Sequence, residues 1–165
     1  MTANTSNPGT WATKAAIAEL RMRYAIATDL AGQGKDGKAK ALAIYRTIFT
    51  PDASIGADGI DAVTGPEAWA DICHDVLSQY VATQHLIGTQ VIDIESLPDA
   101  TGNGGRAIMN SYLQAWHAWD DRVFAFFGTY EDSVVSERGL GWRIARMHLH
   151  RTSGDYRELV SAPPT

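Results

Sequence analysis

Several features that often decide the class of a protein are scarce or missing in this chain of 165 residues. It has one cysteine, Cys73, so no disulfide bond can form within the chain, and a reducing cytoplasm is the expected location. Acidic residues outnumber basic ones, 19 to 14, which argues against the basic surface of a nucleic-acid-binding protein. The net charge of −5 likewise argues against binding to an anionic membrane.

Long apolar segments are also missing. No run of apolar residues approaches the roughly 20 that cross a bilayer as a helix. Residues 1–10 (MTANTSNPGT) have neither the charged start nor the apolar centre of a secretion signal, and we expect them to be disordered. The content of 45% hydrophobic and 20% charged residues is ordinary for a soluble globular protein. The length fits one domain, which we place at residues 11–154, with a tail at 155–165.

Helical periodicity dominates the first half of the chain. A first helix is predicted over residues 11–29, where one side has the i, i+3, i+7, i+11 spacing. Three glycines at 31–38 predict a loop, and a second helix follows over 38–49. A third helix, to about residue 80, is predicted to start with a capping box of Thr64 and Glu67. The stripe on the first helix consists of Ile17, Leu20, Tyr24 and Thr28.

Strand patterns take over in the second half, after a short strand or hairpin start at 54–60. Their breaks are rich in glycine, proline and aspartate, as in an antiparallel meander of long strands joined by short turns. Helices that precede a sheet predict an α+β fold with the helices on one face of a curved, mainly antiparallel sheet. The four long strands are predicted at 83–96, 105–119, 122–136 and 141–151.

Three short motifs add a resemblance to this order of elements. TQHLIG places His85 at the start of a strand, YAIATDLAGQGKD places Asp29 at the end of the first helix, and LQAWHAW contains His117. Together with FFGTYED and GWRI, they resemble the nuclear transport factor 2-like (SnoaL-like) superfamily over residues 13–152. Within it, they resemble the scytalone dehydratase and bile-acid dehydratase group. The resemblance implies a cone-shaped fold, a cofactor-independent lyase and a homotrimer.

The resemblance also implies roles for individual residues. His85 matches the catalytic histidine of the group, Asp29 its catalytic aspartate, and His117 a second histidine of the fungal enzymes. Tyr24 matches a functional tyrosine of the bile-acid dehydratases, and Arg151 an arginine on their final strand. An aspartate that holds one ring nitrogen of a histidine protonated frees the other as an acceptor, so Asp29 and His85 could form a general base at neutral pH.

The last predicted strand carries further candidates. Alternation turns Met147, Leu149 and Arg151 inward, where we expect them to bind substrate together with Tyr130 on the preceding strand. The same alternation turns the two histidines of an H-x-H pair outward. Two ligands are too few for a protein metal site, so no metal is expected. The pair consists of His148 and His150.

The function that these observations favour is a dehydratase without a cofactor, which eliminates water from a hydroxylated cyclic or aromatic-derived small molecule held in an apolar pocket. The same acid–base pair could instead isomerise a ketosteroid-like substrate or cleave a carbon–carbon bond by a retro-aldol reaction. A non-catalytic cone, either a binding module or a structural subunit, is an alternative from another class. An enzyme that uses the H-x-H pair to hold a metal is a third.

Overall fold

The computed structural model describes residues 8–158, and it contains three helices and six strands. The predicted disordered segment lies outside the described residues up to residue 7, and the predicted tail lies outside them from residue 159. The elements in chain order are α1 (Pro8–Ala31), α2 (Gly34–Ile48), β1 (Phe49–Ala57), β2 (Ile60–Thr64), α3 (Gly65–Leu77), β3 (Ala82–Ser96), β4 (Arg106–Ala118), β5 (Arg122–Glu137) and β6 (Gly141–Glu158).

Helix α1 packs on the sheet through the stripe that its sequence predicts. All four predicted stripe residues, from Ile17 to Thr28, are buried, because the 3.6-residue period keeps them on one face. The helix begins at Pro8, three residues earlier than predicted. The placement of the domain at residues 11–154 stays a prediction.

The predicted loop at 31–38 is wrong, because α2 already begins at Gly34. Only Gly32 and Gln33 connect the two helices. Gly37 serves close packing rather than chain flexibility, since a Cβ there would lie 2.3 Å from the carbonyl oxygen of Leu30. A left-handed Gly34, with φ of +69°, makes the sharp turn between the helices.

Helix α3 begins where predicted, but the predicted capping box does not form. Thr64 occupies the N-cap position without a side-chain hydrogen bond to the helix. Glu67 instead accepts a hydrogen bond of 2.8 Å from Arg46 of α2, so its carboxylate ties two helices together. The helix ends at Leu77, earlier than the predicted residue 80.

The six strands form one curved sheet in the order β2-β1-β6-β5-β4-β3. Strands β3 to β6 form the predicted antiparallel meander. The predicted strand at 54–60 is part of a β1–β2 hairpin. Strand β1 pairs in parallel with β6, in a register that aligns Ile55 with Met147 and Ala57 with Leu149. The sheet is therefore mixed, although mainly antiparallel.

Strand β6 is longer than predicted. It stays paired with β5 until Glu158 lies opposite Arg122, so residues 155–158 of the predicted tail belong to the sheet. The register of β5 against β6 shifts between Phe127 and Gly128, and the pairing continues beyond this irregularity.

The helices cover one face of the sheet, and the α+β class predicted from the sequence is confirmed. The buried core lies between α1, α2 and α3 on one side and the concave face of β1 and β3–β6 on the other. Toward one end of this core the side chains leave a cavity. Within residues 8–158, no helix combines the length and the apolar character needed to cross a membrane.

Candidate active site

The cavity has a volume of about 240 Å³ and mainly apolar walls. Ligand pockets of roughly 300–1,000 Å³ are typical, so this one suits a small molecule. Helices α1 and α3 form one wall, and strands β3 to β6 together with the β1–β2 hairpin form the other. The polar side chains on these walls include five of the predicted site residues, which are Tyr24, His85, His117, Tyr130 and Arg151.

Asp29 and His85 meet at the wall of this cavity. Asp29 lies in the last turn of α1, and His85 lies near the start of β3. The His85 Nδ1 atom lies 2.7 Å from Oδ1 of Asp29. The backbone N–H of His85 also donates to Oδ2 at 3.2 Å, and the Thr83 hydroxyl donates to Oδ1 at 3.2 Å. Three hydrogen bonds thus fix the carboxylate against the strand.

This contact decides which ring nitrogen of His85 is free. A carboxylate can only accept, so the proton on Nδ1 points at Asp29, and Nε2 has the lone pair. The ring of His85 is among the side chains that line the cavity. Proton abstraction by Nε2 would create an imidazolium beside the carboxylate, which stabilises that charge. The geometry suits a general base.

His117 lies beside this pair on β4. Its ring meets the ring of His85 edge to face, with the ring centroids 5.4 Å apart. The centroid of the Tyr80 ring lies 4.9 Å from that of His117. Burial, and the neighbouring charge that His85 can carry, lower the pKa of His117 from 6.5 to about 4. It is therefore neutral near pH 7. Its Nδ1 atom is buried and has no partner within the described residues.

Tyr24 and Tyr130 supply hydroxyl groups to the inner end of the cavity. Their ring centroids lie 5.5 Å apart, and both side chains are fully buried. Burial raises the pKa of each hydroxyl far above its usual value, so both stay protonated and can donate. The Tyr24 oxygen also accepts a hydrogen bond of 3.1 Å from Trp69 Nε1, and the hydroxyl groups of Tyr24 and Tyr130 interact with each other.

An ion pair behind the two tyrosines was not predicted. Arg21 of α1 and Asp132 of β5 are fully buried and bonded to each other. The guanidinium lies 3.8 Å from the ring centre of Tyr130 and 4.5 Å from that of Tyr24. The sequence contains a signal for Arg21, because this residue falls between Leu20 and Tyr24 in the buried stripe of α1. A charge buried there requires a partner of opposite charge.

The three predicted substrate-binding residues of β6 differ in their placement. Leu149 lines the cavity, as does Arg151. Arg151 is on the cavity side of β6, as alternation predicts, but it is exposed at the cavity mouth, since β6 leaves the core there. Met147 is buried but does not line the cavity, because it packs behind the wall, where its sulfur accepts a hydrogen bond of 3.3 Å from Arg21.

Comparison with known proteins places this architecture in a family. Residues 10–148 match the family of the SnoaL-like domain. The chain belongs to this family. The predicted resemblance to the SnoaL-like, nuclear transport factor 2-like superfamily is thus confirmed. No curated protein matches the chain by sequence.

Solved structures share the fold of this SnoaL-like chain at low sequence identity. The Kfla4162 protein from Kribbella flavida has a TM-score of 0.67 at 21% identity, over 88% of this chain and 94% of its own. A scytalone dehydratase-like protein from Novosphingobium aromaticivorans gives 0.68 at 20%, over 93% of each chain. The hexachlorocyclohexane dehydrochlorinase LinA-type3 from Novosphingobium barchaimii gives 0.69 at 16%, over 93% and 97%. Identities this low show the shared fold alone.

The predicted H-x-H pair lies outside the cavity of the SnoaL-like domain. His148 and His150 project from the other face of β6, as alternation predicts. Asp58, which follows β1, joins them, and its Oδ1 atom lies 3.0 Å from His148 Nε2. The sequence offered no local signal for this third residue, since it is 90 positions from His148.

Proposed function

We propose that this SnoaL-like protein is a cofactor-independent lyase that eliminates water from a hydroxylated cyclic or aromatic-derived small molecule. The observation that carries the proposal is the contact of 2.7 Å between Asp29 and His85 at the wall of an apolar cavity. A carboxylate–imidazole pair shielded from bulk water is a suitable base for a carbon-bound proton. General acid–base catalysis of this kind contributes roughly 10²–10⁴ in rate.

The proposed reaction moves one proton from carbon to oxygen. Nε2 of His85 takes a proton from the carbon next to a carbonyl group of the substrate. The released electron pair forms a carbon–carbon double bond, and the bond to the neighbouring hydroxyl group breaks. The imidazolium, held by Asp29, then gives its proton to the leaving hydroxyl, which departs as water.

The other polar side chains have supporting roles in this scheme. Tyr24 and Tyr130, both protonated donors, stabilise the negative charge that grows on the carbonyl oxygen. His117 is neutral near pH 7, because its pKa is lowered to about 4, so it serves as a hydrogen-bonding partner rather than as a proton donor. Return of the proton therefore falls to His85.

The cavity also limits the substrate. A volume of about 240 Å³ suits one or two rings and little more. Among the described residues, Asp29 is the one carboxylate that contacts the inner lining, through His85, and the charged side chains among the lining residues, Asp58 and Arg151, are both at the mouth. We therefore expect a largely neutral ring system, whose polar or acidic substituent lies at the outer end near Arg151.

Hydrogen–deuterium exchange tests this proposal even while the natural substrate is unidentified. A panel of β-hydroxy cyclic ketones of one or two rings is incubated with the protein in deuterium oxide and followed by NMR and mass spectrometry. The expected result is deuterium at the carbon next to the carbonyl and loss of the mass of water, both absent with His85→Ala. Exchange without dehydration would favour isomerisation, and fragmentation would favour retro-aldol cleavage. Tight ligand binding without any turnover would overturn the lyase and favour a binding module.

We further propose that the protein forms a homo-oligomer, as a trimer, through the outer face of the sheet. Leu86 on β3 and Tyr112 on β4 leave 47% and 61% of their surface exposed there, and Phe127 on β5 lies beside them. An apolar patch on this face favours contact with another copy of the chain. Light scattering after size exclusion should give three times the chain mass, and Tyr112→Glu should yield monomers. A monomeric wild-type protein would contradict the proposal.

A further inference from the structure

Two histidines outside the cavity and an aspartate at its mouth form a cluster that the proposed lyase reaction does not use. His148 and His150 alternate on β6, so both rings project from the same face, with centroids 4.5 Å apart. Asp58 follows directly after β1, the parallel neighbour of β6. Among the described residues, this is the one group of three or more histidine, cysteine or carboxylate side chains placed to hold a metal ion together.

The spacing of the three side chains suits a first-row divalent cation. Oδ1 of Asp58 lies 3.0 Å from Nε2 of His148 and 3.6 Å from Nδ1 of His150, and all three ligand atoms fall within 4.8 Å of one another. Zinc–nitrogen and zinc–oxygen bonds of roughly 2.0–2.2 Å in a tetrahedron hold neighbouring ligand atoms about 3.3 Å apart. Both carboxylate–imidazole distances lie close to this value.

The aspartate is fixed in the orientation that a metal ligand needs. Its Oδ2 accepts a hydrogen bond of 2.9 Å from the backbone N–H of Arg151. Its own backbone N–H donates to the carbonyl oxygen of Leu149, also at 2.9 Å. Both bonds attach Asp58 to β6 and turn Oδ1 toward the histidines. Hydrogen bonds of this kind to a ligand's second oxygen orient the first for a metal.

We propose that Asp58, His148 and His150 form a binding site for one first-row divalent cation of the zinc class. Two imidazoles and one carboxylate are a ligand set that such cations accept, with the remaining positions open to water or to a donor from a ligand. The site adjoins the cavity mouth, because Asp58 and Arg151 also line the cavity. A bound cation would add positive charge there, beside Arg151, where an anionic group of a substrate or product could reach it.

Metal titration of the full-length chain, purified without a polyhistidine tag and stripped with a chelator, tests the site. Calorimetry with zinc sulfate at pH 7.5 should show one ion per chain with a micromolar or lower Kd. Cobalt(II) should give visible absorption bands of a four- or five-coordinate site. Asp58→Asn and His148→Ala should each weaken binding at least tenfold. Asp61→Asn, a neighbouring surface carboxylate, and His85→Ala, in the cavity, should bind as the wild type does.

Several outcomes would overturn the site. These are a millimolar Kd, zinc uptake that persists in the His148→Ala/His150→Ala double variant, or a loss of affinity in Asp61→Asn as large as in Asp58→Asn. Circular dichroism of each variant checks that it is folded. All variants except His85→Ala change exposed or half-buried side chains, so the fold should survive. The readout is binding and absorption, so the result is independent of whether the lyase proposal holds.

Discussion

An aspartate meets histidine in two places in this molecule, and the surroundings differ. In the cavity pair, Asp29 and His85 keep 20% and 7% of their side-chain surface exposed. In the rim cluster, Asp58 keeps 46%, His148 28% and His150 51%. The shortest distance between a carboxylate oxygen and an imidazole nitrogen is similar in the two places, 2.7 Å in the cavity pair and 3.0 Å in the rim cluster. What separates the two places is access to water.

This difference suggests different chemistry for the same side chains. In the cavity, apolar walls exclude water, and a charge formed by proton transfer would interact strongly with the fixed carboxylate. At the rim, water screens the charges, so a simple ion pair contributes little. A hydrated cation can reach the rim, however, where three potential ligand atoms lie close together. The comparison therefore predicts a proton-transfer site inside and an ion-binding site outside.

The largest expected effect concerns catalysis by the cavity pair. His85→Ala and Asp29→Asn should each lower kcat/KM by roughly 10²–10⁴, because the base or its orienting carboxylate is lost. Steady-state kinetics on a substrate found by the exchange screen measure this. Gln84→Ala, an exposed neighbour of His85 on β3, is the matched control and should retain full activity. A wild-type value of kcat/KM in both variants would contradict the proposal that Asp29 and His85 catalyse the reaction.

A second effect concerns the pH dependence of stability, because His117 belongs to the cavity and has no counterpart at the rim. Its pKa falls from 6.5 to about 4 in the folded protein, so between these values the unfolded chain binds more protons. The free energy of unfolding should therefore decrease as the pH falls from 6.5 toward 4. The contribution is at most roughly 3 kcal/mol, since one pKa unit corresponds to about 1.36 kcal/mol.

Urea unfolding at pH 7, 6, 5 and 4.5 measures this contribution, with His117→Asn as the comparison. The wild type should lose more stability than the variant over this range, and the excess isolates His117 from other titrating groups. The groups that face it are His85 with Asp29 and Tyr80, all unchanged in the variant. Equal pH slopes for the two proteins would mean that His117 titrates normally.

The smallest expected effect is that of a chelator on the lyase reaction. Because the proposed base consists of Asp29 and His85 and needs no metal, treatment with EDTA should change kcat by less than about twofold, even when it removes an ion from the rim. Assays before and after chelation, and after zinc is added back, measure this. Inactivation that zinc reverses would show that the two places act as one metal-dependent site, the third alternative left open by the sequence.

Much of the fold could be predicted because its signals are local. The stripe from Ile17 to Thr28, the strand alternation and the order of helices before sheet each lie within short segments. The loop predicted from the glycines at 31–38 was wrong for a physical reason. Glycine marks both loops and close helix contacts, and at Gly37 the requirement is space beside the carbonyl oxygen of Leu30. Sequence alone does not separate the two uses.

The candidate site could likewise be predicted only in part from the sequence. Asp29 and His85 could be paired from the sequence, because a family resemblance linked two distant motifs. Nothing comparable linked Asp58 to His148. The parallel pairing of β1 with β6 brings them together, and no local pattern encodes that pairing. Arg21 lay in a readable stripe, but its partner Asp132 is on a strand 111 positions away.

The pair of Arg21 and Asp132 also has a consequence for how the sheet assembles. Side chains alternate along β5, so a slip of one residue against its neighbours would turn Asp132 to the outer face. Arg21 would then remain in the core as an isolated charge, a loss typically of several kcal/mol. An apolar pair would tolerate the slip far better. The ion pair thus stabilises one register of β5 under α1 and destabilises the registers that differ from it by one residue.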